Sequence, residues 1–345
     1  MNSVVLPSRR IAAANAWVVL GGSALVLAGL VALCSVAWRA PWQGTDTPIY
    51  AAWYLSLRSG VVVTRFEPLF VLASRLSSAG GLGVSAWQGL LFLLLAGGGA
   101  VATRAYARDL GSTANKLLPA ATMFLLLSPV FVNASINATR QGLAAFPIIA
   151  ALLAFQGRRW VAFVVWSAVA TGFHYSALLY IALAPVLLLP PRWLQGVAAL
   201  AFAAYAAGLT MIATRILSPS AYAAVMAYGP YAVYRAGVRL DFAVFTLFWY
   251  GLPMLVARSV REPWAGRIVD LQGVYLVLVL PFLLVGWGNY SNRFLLPAWL
   301  FASLVVAALC VHSRLPLLRH PVVIGLGLLM SAGVFAFYIS QGVAL

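Results

Sequence analysis

Apolar runs of roughly 15 to 25 residues recur from one end of the chain to the other, parted by short loops bearing Arg, Pro or Gly. A chain patterned in this way meets the demand that a bilayer makes of any backbone, that every peptide group be hydrogen-bonded internally. Run length points to helices, since the strands of a membrane barrel show alternating segments of about ten residues. Mean hydropathy is +0.97 and 63% of residues are apolar, which excludes an ordinary soluble domain. The expected fold class is an all-α polytopic integral membrane protein in which residues 1–345 form a single membrane domain; a GT-C-like architecture is compatible with it.

Apolar periodicity places crossings at 12–37, 83–103, 117–134, 141–157, 160–173, 175–189, 194–214, 242–257, 268–286, 294–312 and 321–341. The expectation is therefore about eleven transmembrane helices. The 160–173 and 175–189 pair can also be read as one long crossing. With two crossings there, thirteen of the 22 Lys and Arg fall on the N-terminal side, which the positive-inside rule makes cytoplasmic. The first run carries Arg9 and Arg10 ahead of it but is too long for a signal peptide, so it reads as a retained helix. Two external segments exceed what connection requires. In 38–82, Trp42, Tyr50, Trp53 and Tyr54 suggest an interfacial stretch, and Glu67-Pro68 opens a helix (68–78) too short to span. The other segment is 215–241, rich in Tyr and Arg.

Net charge of +16 suits nucleic acid in a soluble protein, but 21 of the 22 cations are Arg, many of them in short loops at helix ends, and no nucleic-acid motif is present. Topology and lipid headgroups explain most of them. Cys34 and Cys310 lie inside apolar runs and read as buried hydrophobes. Metal binding is disfavoured, because His312 and His320 map to the end opposite His174 and no metal-ligand spacing occurs; no cofactor is expected.

The remaining polar residues gather on the external side. Asn137-Ala-Thr-Arg140-Gln141 opens one helix and Asn289-Tyr290-Ser-Asn-Arg293 another, while His174 and Asp241 precede two more. Helix N-termini present unpaired N–H groups and a partial positive charge, and an Arg there adds a forked donor for phosphate oxygens. Arg140 and Arg293 are thus candidates to hold a diphosphate, with Gln141, Asn137, Asn289, Tyr290, Arg235, Arg239 and Asp241 as neighbours. The simpler reading of both arginines is interfacial snorkelling. Asp46 and Glu67 are candidate general bases and equally candidate helix caps. His174 serves as a hydrogen-bonding or proton-relay residue, or as a satisfied structural histidine.

The ordered set Gly44-Thr-Asp46, Tyr50, Glu67-Pro68-Leu-Phe, Arg140-Gln-Gly-Leu-Ala, His174-Tyr-Ser-Ala and a late Arg293 resembles the EpsG-type polysaccharide polymerases, Wzy-like proteins of exopolysaccharide and O-antigen assembly. The resemblance spans roughly residues 44–300. It implies a glycosyltransferase of the bacterial cytoplasmic membrane that joins undecaprenyl-diphosphate-linked oligosaccharide repeats at the outer face, without metal or nucleotide sugar. By position Asp46 and Glu67 match the family's acidic loop, Arg140 its RQ motif and His174 its HxS motif. It also implies a flippase and a chain-length regulator of the same pathway as partners. Two other readings stay open: a membrane glycosyltransferase or ligase with a polyprenyl-linked donor, and a transporter or flippase, which paired broken helices would favour.

Overall fold

A computed structural model describes residues 17–40, 42–57, 66–227 and 236–342. Arg65 and Arg235, and the tyrosines at 228, 231 and 234, lie outside the described residues.

The described chain is helical throughout, with one isolated β-bridge (Val260 to Ser313) and no strand among the described residues. In order the helices are α1 (Gly22–Ala37), α2 (Thr47–Ser56), α3 (Pro68–Ala79), α4 (Val84–Leu110), α5 (Ala114–Leu127), α6 (Pro129–Ile136) and α7 (Thr139–Gln156). There follow α8 (Trp160–Phe173), α9 (Ala177–Ala182), α10 (Pro191–Ala206), α11 (Leu209–Leu217), α12 (Pro219–Ala227) and α13 (Leu240–Val256). The last four are α14 (Trp264–Asp270), α15 (Gln272–Val285), α16 (Leu296–Val311) and α17 (Pro321–Gln341).

Among the described residues six segments are long and apolar enough to cross a membrane, and eight if each of two bent pairs is one span. That supports a polytopic membrane protein but not the expected count of eleven. α8, with 14 residues, is too short by that measure, as is the 177–188 segment. α7 is long enough but carries Arg140, Gln141 and Gln156. Two expected crossings are broken. Pro129 has no N–H to continue the helix and pushes Ser128 into extended backbone, so α5 and α6 meet at 79°. Gly208, in left-handed backbone, ends α10, and α11 leaves it at the same angle.

The helices form an inner set and an outer set. Trp264–Val285 and Ser291–Val311 are 78% and 72% buried within their apolar stretches, against 22% for Leu240–Ser259. α7 is buried on nearly every residue from Thr139 to Phe155 and packs against α4, α8 and α16. α1, α13 and α17 instead keep large apolar side chains exposed, such as Leu27, Val244 and Met330, as helices facing lipid do.

Contacts between distant loops define two ends of the bundle. At one end Gln43 donates to the Ser340 carbonyl (2.9 Å), Tyr180 Oη to that of Phe294 (2.9 Å) and Tyr205 Oη to that of Gly286 (3.0 Å). At the other Arg159 grips Asp109 with both nitrogens (2.6 and 2.8 Å), Arg267 caps Leu110 (2.8 Å) and His312 meets Ser112 (3.0 Å). The described parts of the two long segments read as external both fall at the first end.

The interfacial reading of the first loop needs correction. Trp42 is 80% exposed, but Tyr50 and Tyr54 turn inward, and Tyr54 stacks on Trp87 at 4.3 Å. α2 and α3 thus join the core through an aromatic cluster of Tyr50, Trp53, Phe66 and Phe70.

Candidate functional site

At the first end a small polar cavity of about 140 Å³ is lined by Asp46, Ile49, Tyr50, Phe66, Ala138, Arg140, Gln141, His174 and Arg293. Five expected residues from four parts of the chain meet there. A second, more apolar cavity of about 330 Å³ shares Gln141, His174 and Arg293 with it and continues to Asn289, Tyr290 and Val225.

Arg140 sits in the first turn of α7, where the helix's free N–H groups point to the same end. Its Nη1 meets Glu67 Oε2 at 2.5 Å and its Nε donates to Tyr50 Oη at 3.1 Å. The guanidinium also lies 4.6 Å from the centre of the Phe66 ring. Three neighbours therefore set its plane, while Nη2 has no partner among the described residues. The Glu67 side chain is only 5% exposed and does not line the cavity; it lies behind Arg140. Its backbone caps α3 in extended conformation, with Pro68 as first helical residue and no side-chain capping bond. The expected Glu67 cap is thus a backbone feature, and its carboxylate serves Arg140.

Asp46 does line the cavity. It precedes α2, again without a side-chain capping bond, and its Oδ2 lies 3.9 Å from Arg293 Nη2. Burial pushes its carboxyl above the usual range, opposed first by Arg293 and then by Arg140. The turn before it depends on Gly44, whose φ of +97° is left-handed and where a Cβ would come 2.7 Å from Asn137 Oδ1. Thr45 Oγ1 donates to that same oxygen at 3.4 Å. Asn137 is therefore buried outside the cavity and seats the Asp46 turn.

Gln141 donates from Nε2 to the Arg293 carbonyl (2.5 Å), tying α7 to the 3-10 turn Ser291–Leu295 that carries Arg293. The Arg293 guanidinium is 4.4 Å from the Tyr290 ring. His174 ends α8 in extended backbone and its Nδ1 accepts from the Ser176 N–H at 3.1 Å. Burial lowers its pKa to about 4; Glu67 pulls it up, and Arg140 and Arg293 press it down. At neutral pH the imidazole is uncharged.

A family model, EpsG family, matches residues 24–343. The chain belongs to the EpsG family. No curated protein and no solved structure matches it.

In this EpsG chain the remaining expected residues lie elsewhere. Arg239 and Asp241 pair with each other (3.0 and 2.6 Å) and do not reach the cavity. Asp241 instead stands among the residues of a larger apolar groove, about 620 Å³, between the α5–α6 bend, α13 and α16. Asn289 donates to the Met226 carbonyl at 3.4 Å on the wall of the second cavity. Phe66 lines the cavity without having been expected there, and Tyr50, expected both as part of the ordered motif set and as a headgroup anchor, turns into the cavity. Tyr50 was legible, since position i+4 from Asp46 on a helix faces the same way. Among the described residues no three His, Cys, Asp or Glu side chains cluster as metal ligands.

Proposed function

We propose that this protein is a glycan polymerase that extends a lipid-diphosphate-linked oligosaccharide by transferring it to a hydroxyl of an incoming lipid-linked repeat. The observation that carries this reading is one cavity at one end of the bundle holding two arginines and an acid beside a second, more apolar chamber. Diphosphate is the leaving group whose charge grows as the anomeric C–O bond breaks. Arg140, aimed by Glu67, Tyr50 and Phe66, and Arg293, aimed by Gln141 and Tyr290, supply fixed donors to that charge. The acceptor hydroxyl attacks the anomeric carbon and its proton passes to Asp46, whose raised pKa suits a base better than an ordinary carboxylate does. Neutral His174, on the wall common to both chambers, serves as a hydrogen-bond partner for sugar or phosphate. The family assignment supports a polysaccharide substrate, and the apolar groove beside α13 and α16 is suited to a polyprenyl tail.

In this role the site end faces away from the cytoplasm, where assembled repeats are presented. The protein then sits in a bacterial cytoplasmic membrane with its N-terminus inside. Reconstituted with undecaprenyl-diphosphate-linked repeats, it should yield a ladder of polymer lengths, and Arg140→Ala should yield none while inserting normally. A single addition per acceptor would convert the reading to a ligase.

Two bent helix pairs, α5–α6 and α10–α11, favour one alternative, a transporter or flippase of lipid-linked oligosaccharide. Neither break, at Ser128 or at Gly208, lines the cavity that holds Arg140 and Arg293. Movement of labelled lipid-linked repeat across proteoliposomes without elongation would decide for that alternative.

A further inference from the structure

At the end of the bundle opposite the candidate site, three loops far apart in sequence enclose another polar cavity, of about 410 Å³. Its wall brings together Lys116 from the start of α5, Arg261 from the α13–α14 loop and Arg319 from just before α17, with His312 and His320. Among the described residues no Asp or Glu lines it. Among the described residues none of the three cations has an ion pair. Other cations at this end do find an acid, since Arg108 and Arg159 both engage Asp109.

Arg261 is held in place. Its Nε and Nη2 donate to the carbonyls of His312 and Val311, both at 3.3 Å, at the end of α16. Its guanidinium lies 5.2 Å from the Trp264 ring, which stacks on His312 at 4.3 Å and 12°. Burial and the nearby Arg319 both press the Arg261 pKa down, so the cluster carries unrelieved like-charge repulsion. His312 is 3% exposed, with Nε2 3.0 Å from Ser112 Oγ and Nδ1 without a partner among the described residues. The starts of α5 and α17, at Thr113 and Pro321, open onto the same space. A positive-inside signal needs only that cations stay on one side of the membrane. It gives no reason for three of them to share a concave wall from which carboxylates are missing.

We propose that this cavity binds a phosphate-bearing anion, either the headgroup of an anionic phospholipid or a free phosphate. An anion there relieves the repulsion and bridges the α4–α5, α13–α14 and α16–α17 loops.

The test uses the full-length protein in phosphatidylcholine nanodiscs with and without phosphatidylglycerol. Native mass spectrometry counts retained phosphatidylglycerol, and calorimetry titrates inorganic phosphate against chloride. Wild type should retain phosphatidylglycerol over phosphatidylcholine, bind phosphate over chloride, or do both with mutual competition. Lipid alone assigns the headgroup source, phosphate alone the soluble one. The K116Q/R319Q double variant should weaken binding about tenfold per cation removed. R104Q/R108Q, with the same charge change at the same end but outside the cavity, should leave it intact. Thr113→Glu keeps all three cations and supplies a carboxylate from the wall; it should compete with the ligand and serves if the double variant does not fold. Equal losses from both double variants, full binding by Thr113→Glu, or no preference in wild type for either phosphate ligand would overturn the proposal.

Discussion

Asp46 and Glu67 lie one loop apart in the chain but end in different surroundings, and that difference separates two roles. Asp46→Asn removes the proposed base while keeping its shape, so turnover should fall by about 10²–10⁴ with little change in Tm. Glu67→Gln leaves Arg140 half-buried without its counter-charge. It should lower stability by about 1–3 kcal/mol and depress activity through Arg140. A variant pair showing the reverse pattern, measured by thermal melts beside polymer yield, would exchange the assignments. Acid dependence follows from the same residues. The rate should rise with pH through the raised Asp46 pKa, and Asp46→Asn should flatten that limb. His174 titrates near 4 folded but near its ordinary 6.5 unfolded, so the unfolded chain takes up its proton first as pH falls. Stability should therefore drop between about pH 6.5 and 4, less steeply in His174→Gln; an unchanged slope in that variant would show that His174 is not the titrating group.

At the scale of elements, α7 decides the geometry. Its buried length is an internal strut, and Arg140 is its one partly exposed residue before Gln156. Close approach to α6 rests on Gly142, where a Cβ would lie 2.8 Å from both the Cβ and the carbonyl oxygen of Ala134. Gly142→Ala should therefore cost about 1–3 kcal/mol and displace Arg140. Gly97→Ala, where a Cβ meets nothing within 4 Å, should be neutral or mildly stabilising, since Ala is the better helix former. Equal Tm values for the two variants would refute the packing account.

For the whole molecule, the arrangement of ends makes an accessibility prediction. Single cysteines at positions 46 and 293 should react with an impermeant thiol reagent from one side of the membrane, and at 261 and 319 from the other. Mixed labelling within either pair would break the two-ended organisation. The proposed mechanism draws the positive charge at the leaving group from Arg140 and Arg293, so any polymerisation should persist in EDTA; chelator-sensitive turnover would require a different source of that charge.

Run length and composition by themselves determined a polytopic helical membrane protein, because a bilayer allows few ways to satisfy a peptide group. The ordered short motifs likewise pointed to the EpsG family, and the concentration of ionisable residues in a few loops marked one end of the bundle. Apolar content, however, does not report direction, so the sequence could not show that α5–α6 and α10–α11 bend where Pro129 and Gly208 interrupt them. The crossing count was overstated for that reason and because α8 and the 177–188 segment are too short, and α7 too polar, to count as spans. Only the tertiary structure put Glu67 behind Arg140, left Asp46 facing the cavity and sent Asp241 to a separate groove. Those assignments depend on contacts between residues dozens of positions apart, which no local pattern encodes.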